Sequence, residues 1–305
     1  MPLFFLIAVL AGTLMPLQSR ANGGLGHALG DPMAAAAVSF GSGLLILAVA
    51  ALAVPSMRRG VQSIVPAVRS RRIPWFYLLA GLVGAYTVFS QSTAVPMTGI
   101  ALFTVAIVGG QTVSGLLVDH WGLGPAGRSR ITAARVLGVV LMLIAVVLSM
   151  TGKGAGGPGA AVWLLLPLST GFLMGFQQAA NGHSARAYGS PMAATFMNFL
   201  AGFAALALVW LAMHLGQGFP ALHGQWWMFL GGACGCVYIG VNTWLLKHLG
   251  VLATSMGMIT GQLLGSLLLD LFAPLPGAHV GATAVVGLLL TFAAMAVMNI
   301  RRKKR

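Results

Sequence analysis

The sequence predicts an all-α membrane protein of ten transmembrane helices, arranged as two inverted five-helix repeats. Three observations carry that reading. First, 58% of the 305 residues are hydrophobic and 7% charged, with a mean hydropathy of +0.92. No soluble core of this size could hide so much apolar surface, so the solvent is lipid. Second, the stretch Gly12 to Gly43 (GTLMPLQSRANGGLGHALGDPMAAAAVSFGSG) returns from Gly171 to Gly202, 159 positions on, with 15 of 32 positions identical. Apolar composition could repeat a few Ala and Gly by chance. It would not repeat Gln18, Asn22, Gly30 and Pro32 together, so the chain is an internal duplication. Third, the cations sort to one side of the resulting topology.

The elements follow in order. Without water for the backbone, each apolar run of about 20 residues must be helical. The first begins near Leu3 and ends before Gly30 and Pro32, a Gly-after, Pro-at-start boundary. At about 27 residues it spans roughly 40 Å, longer than the bilayer core, so it should tilt or kink, with Pro16 the natural place. It lacks the charged start of a signal peptide, and its repeat lies deep in the chain, so it is read as a membrane helix. The second helix runs from Met33 to about Val54. A loop with Arg58, Arg59, Arg69, Arg71 and Arg72 follows. Pro74 opens the third helix, ending near Ser92, and Pro96 the fourth, ending at Asp119. The fifth spans about Ala133 to Met150. The second half gives helices at about 161–187, 191–213, 226–247, 251–270 and 280–300. The expected division is 1–150 (repeat A), 151–160 (a Gly-rich linker) and 161–305 (repeat B with a basic C-terminal tail).

Five helices per repeat oblige the halves to lie upside down to each other. With both termini cytoplasmic, the inner side holds 15 cations: the five of the 58–72 loop, Arg128, Arg130, Arg135, Arg186, Lys247 and Arg301 to Arg305. The outer side holds two, Arg20 and Lys153. This split satisfies the positive-inside rule and removes the need for a nucleic-acid partner to explain the net charge of +14. Where inversion puts the counterpart of the Arg-rich loop outside, the sequence is HLGQGFPALHGQ, without Lys or Arg. The repeat offset falls there from 159 to 151.

Polar residues inside such helices need a reason. Gln18 and Asn22 share a helix face, as do Gln177 and Asn181. Inversion lets these four amides approach the pseudo-two-fold axis near the midplane, where repeat transporters place substrate. They either line a substrate site or hold the helices together as a hinge. Gln111 and Gln262, 151 apart, face inward in either case, as cavity lining or interhelical hydrogen bonds. Asp119 and Asp270 also match at 151 and close the segments GQTVSGLLVD and GQLLGSLLLD. They are candidates for coupling or gating, against the reading of interfacial helix ends. Asn198, Asn242, Ser90 and Tyr86 are secondary candidates. Arg20 is expected to snorkel to the outer headgroups, with an anion contact as the alternative. Cys234 and Cys236 read as small buried residues.

PLQSRANGGLGHALGDP (16–32), the Pro74–Trp75 helix start and GGQTVSGLLVDHWGLG (109–124), with the echoes QQAANGHSARAYGSP (177–191) and TGQLLGSLLLD (260–270), resemble the YdcZ type of the drug/metabolite transporter superfamily in its fused ten-helix form. The resemblance implies a multi-pass inner-membrane secondary transporter of small metabolites or drug-like molecules. It works by alternating access, with export the implied direction and the substrate undefined. A non-transporting structural or regulatory membrane protein is the alternative. No enzymatic activity, catalytic residue, metal or cofactor is expected. The expected partners are a small-molecule substrate and the bilayer; a homodimer is allowed and nucleic acid is not. Neither Asp is expected near the midplane, so transport should not depend on one central carboxylate. A neutral or zwitterionic substrate is therefore favoured over a lipophilic cation.

Overall fold

The computed structural model describes residues 2–124, 127–128, 130–151, 160–215, 221–273 and 282–298. Among them every regular element is helical. Lys153 with most of the linker, and the tail from 299, lie outside the described residues.

The first predicted helix is two: α1 (Pro2–Gly12) and α2 (Leu14–Leu29). Pro16 causes the break. It has no N–H for the carbonyl of Gly12, and its ring crowds that carbonyl. The interruption therefore falls at Thr13, whose N–H and hydroxyl both donate to the Leu10 carbonyl (3.2 and 2.7 Å). Gly30, at φ +64°, ends α2. Asp31 then caps α3 (Pro32–Ala53), its carboxylate accepting from the N–H groups of Met33 and Ala34 at 2.9 and 3.0 Å.

The basic segment expected as a loop contains two short helices, α4 (Pro55–Gln62) and α5 (Ile64–Arg69). Pro55 starts the first. Met57, Gly60, Ile64 and Ala67, spaced at helical intervals, are buried. Gly60 lies against Ser190 and Ala193, and the Ser63 hydroxyl donates to the Tyr188 carbonyl at 3.0 Å.

A 3₁₀ turn (Trp75–Ala80) leads into α6 (Gly81–Thr98), and α7 (Ile100–Trp121) follows. The third and fourth helices thus meet at Gly99 rather than between Ser92 and Pro96. Gly99 takes φ +77° and ψ 168°, open to glycine, so the chain turns there. Pro96 is tolerated in the last turn of α6, where the Ser92 carbonyl it leaves without a partner leans towards Gly26. Next come α8 (Ala133–Thr151), α9 (Ala160–Tyr188) and α10 (Pro191–Met213); Ser190 caps the last as Asp31 caps α3. A 3₁₀ turn (Trp226–Leu230) precedes α11 (Gly231–Phe272), and α12 (Ala282–Met298) ends the described chain.

The 42 residues of α11 are not one rod. Gln262 Nε2 donates to the Tyr238 hydroxyl at 2.8 Å across 24 positions, which a straight helix would separate by about 36 Å. Helical turns therefore continue through a bend between His248 and Gly257, and the two arms run antiparallel, as two predicted helices would. The α1–α2 unit lies between them: Phe4 stacks on His248 and edges Trp244, while Gly12 meets Met258 and Gly261.

Three pairings dominate the packing: α1–α2 on α11, α9 on α7, and α8 on α12. The first two repeat one device. Gly261 sits on the Val9 carbonyl and Gly12, and Gly110 on the Leu168 carbonyl and Gly171. At each crossing a side chain in place of glycine would strike backbone, so the glycines set the helix separation. Leu45, Val49 and Leu52 make an exposed stripe on α3 at helical spacing, and Phe272 ends α11 at 83% exposure; such surfaces suit lipid. Among the described residues, seven helical stretches are long and apolar enough to cross a bilayer, and two shorter apolar helices lie at Ala133–Leu148 and Val285–Val297.

Candidate functional site

Two polar clusters form, one on each half. In the first, Gln18 and Asn22 stand one turn apart on α2 beside Ser39 of α3. Asn22 is fully buried, and its Nδ2 donates to Gln91 Oε1 on α6 at 2.7 Å. Gln91 Nε2 in turn reaches Met15 Sδ at 3.8 Å. The cluster rests on glycines of α11: Asn22 Oδ1 and Ser39 Oγ lie over Gly231, the Ser39 carbonyl over Gly232 and Gln18 Nε2 over Gly235.

In the second, Gln177 and Asn181 of α9 meet Asn198 of α10. Gln177 Nε2 donates to Asn198 Oδ1 at 3.3 Å, and Asn198 Nδ2 to Asn181 Oδ1 at 2.7 Å. The Asn198 carbonyl lies over Gly81 of α6 and Gln177 Nε2 over Gly84. The sequence offsets map one cluster on the other: 159 takes Gln18, Asn22 and Ser39 to Gln177, Asn181 and Asn198, and 151 takes Gly81 and Gly84 to Gly232 and Gly235. Each half therefore seats its amides on glycines of the other, where nothing larger than hydrogen leaves them room.

Between the clusters stands a pair of phenylalanines, themselves 159 apart. The Phe40 and Phe199 rings are 4.8 Å apart at 31°, and both are buried. Phe40 covers Gly202 and Gly84; Phe199 covers Gly43 and Gly235. Gly84 and Gly235 thus each carry an amide and a ring.

Of the six amides expected to line a site, four fall in the two clusters and two do not. Gln111 Nε2 reaches Met174 Sδ at 3.4 Å, tying α7 to α9. Gln262 ties the two arms of α11 through Tyr238, and its Oε1 has no partner. A cavity of about 510 Å³ is walled by Tyr86, Gly110, Leu143, Leu165 and Phe172 and is almost wholly apolar, with the Tyr86–Ser169 hydroxyl pair (2.9 Å) on its wall; none of the four clustered amides lines it. A narrow polar cleft lies beside Asn181 and Asn198.

The carboxylates sit at helix ends. Asp270, 7% exposed, accepts from the N–H groups of Ile100 and Ala101 at 3.1 and 2.7 Å, capping α7 after its break at Gly99. Arg20 lies within its electrostatic reach, donates to the Ala273 carbonyl and stands 5.1 Å over the Trp227 ring. These contacts tie the half-buried Arg20 to the end of α11 and to the turn before it. Asp119 pairs with Arg135 at 3.0 Å in a half-exposed bridge. Asp31, besides its cap, accepts from Trp210 Nε1 at 2.9 Å and lies 3.4 Å from His214 Nε2.

Sequence reasoning missed Gln91, Ser39, Tyr238 and the phenylalanine pair. Phe40 was the one aromatic among the 15 repeated identities, which was the signal for it. Ser39 was hidden because its counterpart is the chemically different Asn198. Of the secondary candidates, Asn198 is central, Ser90 is buried without a partner for its hydroxyl, and Asn242 is half-buried on α11.

Comparison with known proteins agrees with this architecture. A family model described as "Putative inner membrane exporter, YdcZ" matches residues 3–148 and 162–297, one segment in each half. No curated protein matches. A solved crystal structure, described only as that of a protein, is similar at 22% identity with a TM-score of 0.59, covering 98% of this chain and 96% of its own. At that identity it shows a shared fold.

Proposed function

The chain belongs to the YdcZ family of drug/metabolite transporters, and from that premise we propose that it is a secondary exporter of small molecules. Ten crossings build it: the seven evident spans, the two shorter apolar helices and the 29-residue α9. The halves 1–150 and 161–305 are inverted repeats, with 151–160 joining them and both termini in the cytoplasm. Trp75 and Trp226, equivalent at 151 and both strongly exposed, then sit at opposite interfaces, where Trp is favoured.

The observation that carries the proposal is the reciprocal seating of the two amide clusters, with Phe40 and Phe199 between them. A structural protein has no need to bury this many amides in matched sets on glycine. A carrier needs one set per access state, and a rocking of the halves exposes each in turn. The three aspartates are occupied at helix ends, so the amides, and no carboxylate, are the groups that recognise an uncharged or zwitterionic substrate. Asp119 and Asp270 act in gating through the helix ends they hold.

Single cysteines at Gln18, Asn22, Gln177 and Asn181, in protein lacking Cys234 and Cys236, should react with a small water-soluble thiol reagent while a transported solute is cycling in proteoliposomes. Silence at all four during measurable flux would remove the site assignment. Absence of flux for every compound that stabilises the purified protein would favour the structural alternative.

A further inference from the structure

At one pair of equivalent places the two halves differ in polarity, a polar cleft on one side standing against an apolar plug on the other. Tyr77, Asn181, Ser184, Tyr188 and Asn198, with Ala194 and Met197, line a cleft too narrow in this conformation for a water molecule. The Ser184 and Tyr188 side chains are each 4% exposed, and their hydroxyls have at best one another as partners. Buried hydroxyls left short of partners call for a reason.

The offsets of 159 and 151 carry this cleft to Met228, Asn22, Leu25, Leu29 and Ser39. There Leu25, Leu29 and Met228 pack with Ala34, Ala35 and Trp210 in an apolar cluster. Depth in the membrane does not account for the difference, because inversion sets the two places equally far from their own surfaces. The polar member is covered by α5, whose Ile64 and Ala67 share a cluster with Tyr188 and Ala194. Arg58, Arg59, Arg69, Arg71 and Arg72 stand exposed around that cover.

We propose that the Tyr77–Asn181–Ser184–Tyr188–Asn198 cleft is the cytoplasmic loading subsite of the carrier, opening beneath α5 around an uncharged, hydrogen-bonding small molecule such as a polyol or an amide. The inference rests on the transporter reading above and adds a side and a ligand class to it. No charged group is among the cleft's walls, so it offers no counter-charge to an ion, whereas three hydroxyls and two amides both donate and accept. From there the ligand reaches Gln177 through Asn198, which contacts both. The apolar plug on the far side gives a departing ligand no equivalent resting place, which favours net export.

The test uses Ser184→Cys and, separately, Tyr77→Cys in full-length protein with Cys234→Ala and Cys236→Ala. A permanently charged, membrane-impermeant methanethiosulfonate is applied to right-side-out and inside-out vesicles. Both cysteines should react from the cytoplasmic side only. Erythritol or propionamide should cause a loss of labelling rate, and the similarly sized ions lactate and ethanolamine should not. Reaction from the outer side, or at neither cysteine, overturns the subsite. Protection by an ion, or by neither uncharged solute, overturns the ligand class. A Gln177→Cys protein that reacts in the same membranes while Ser184→Cys stays silent would leave the carrier reading standing and sink this one.

Discussion

Replacing Asp270 separates a helix-capping carboxylate from a proton-coupling one. Its two oxygens accept two N–H groups of the first turn of α7, and hydrogen bonds to a charged partner contribute about 1.5–3 kcal/mol each. Asp270→Ala also removes the carboxylate whose field reaches Arg20, but Arg20 is only part-buried and solvent-screened, so this adds little to the loss of the cap. The two bonds share one carboxylate and add incompletely, so the expected loss is about 3–5 kcal/mol in total. Asp270→Asn keeps one acceptor oxygen and the cap geometry and should cost about 1–2 kcal/mol, within the range of a cap substitution. Thermal unfolding in detergent, followed by tryptophan fluorescence, should therefore rank wild type above Asp270→Asn above Asp270→Ala. The pH profile of flux in proteoliposomes should keep its shape in Asp270→Asn, with a lower amplitude. If Asp270→Asn instead abolished pH-driven uptake while expression and ligand binding stayed normal, the reasoning would fail and Asp270 would be the coupling group.

Three further outcomes follow from the packing. Asp119→Asn breaks only a half-exposed bridge to Arg135, so it should cost about 0.2–1 kcal/mol, clearly less than its counterpart, in the same melting assay. Gly171→Leu would drive a side chain into the Ile107 carbonyl and Gln111 backbone of α7; it should abolish folded protein in size-exclusion chromatography, and a normal elution profile would refute the close crossing. Reporter fusions after Arg305 should show a cytoplasmic C-terminus, and a periplasmic result would sink the inverted-repeat proposal.

How much was legible in advance depended on whether the signal was local. Helix ends marked by Gly and Pro read correctly at Gly30–Pro32 and Gly189–Pro191, because φ preference and the missing N–H act within a few residues. Pro16 interrupts its helix in the turn before itself, as a proline kink does, whereas Pro96 opens no helix and is absorbed in a last turn that Gly99 terminates. Both outcomes depend on which carbonyl can find another neighbour, and that is tertiary information. The basic segment reads as a loop on its charge alone, because five arginines outweigh its few apolar residues in composition. Met57, Gly60, Ile64 and Ala67 were visible at helical spacing, but the surface they dock on belongs to the far half of the chain. The amides were found because the repeat advertised them. Their partners Gln91 and Tyr238 were missed because Thr87 and Asn242 stand at the equivalent places, so no repetition pointed to them.

The repeat also separates what contact between the copies demands from what sidedness demands. Phe40 and Phe199 keep one identity, as do the glycines that seat them, because a contact between two equivalent residues involves both copies at once. Changing one copy alone would misfit the other. Elsewhere each copy touches different neighbours and is free to diverge: Asp31 against Ser190 as caps, Arg20 against Ala179, Leu25 and Leu29 against Ser184 and Tyr188. A symmetric bundle would have no preferred direction of access at all. The proposed export direction therefore has to reside in the diverged positions, and among them the exchange of two buried leucines for two buried hydroxyls is the one that changes what a ligand meets. Substituting Ser184→Leu and Tyr188→Leu would make the two sides alike in this respect. The proposal expects the doubly substituted protein to fold, since the equivalent leucines pack well with Met228, and to lose uptake of substrate offered from the cytoplasmic face of inside-out vesicles. Undiminished uptake in that protein would show that direction is set elsewhere.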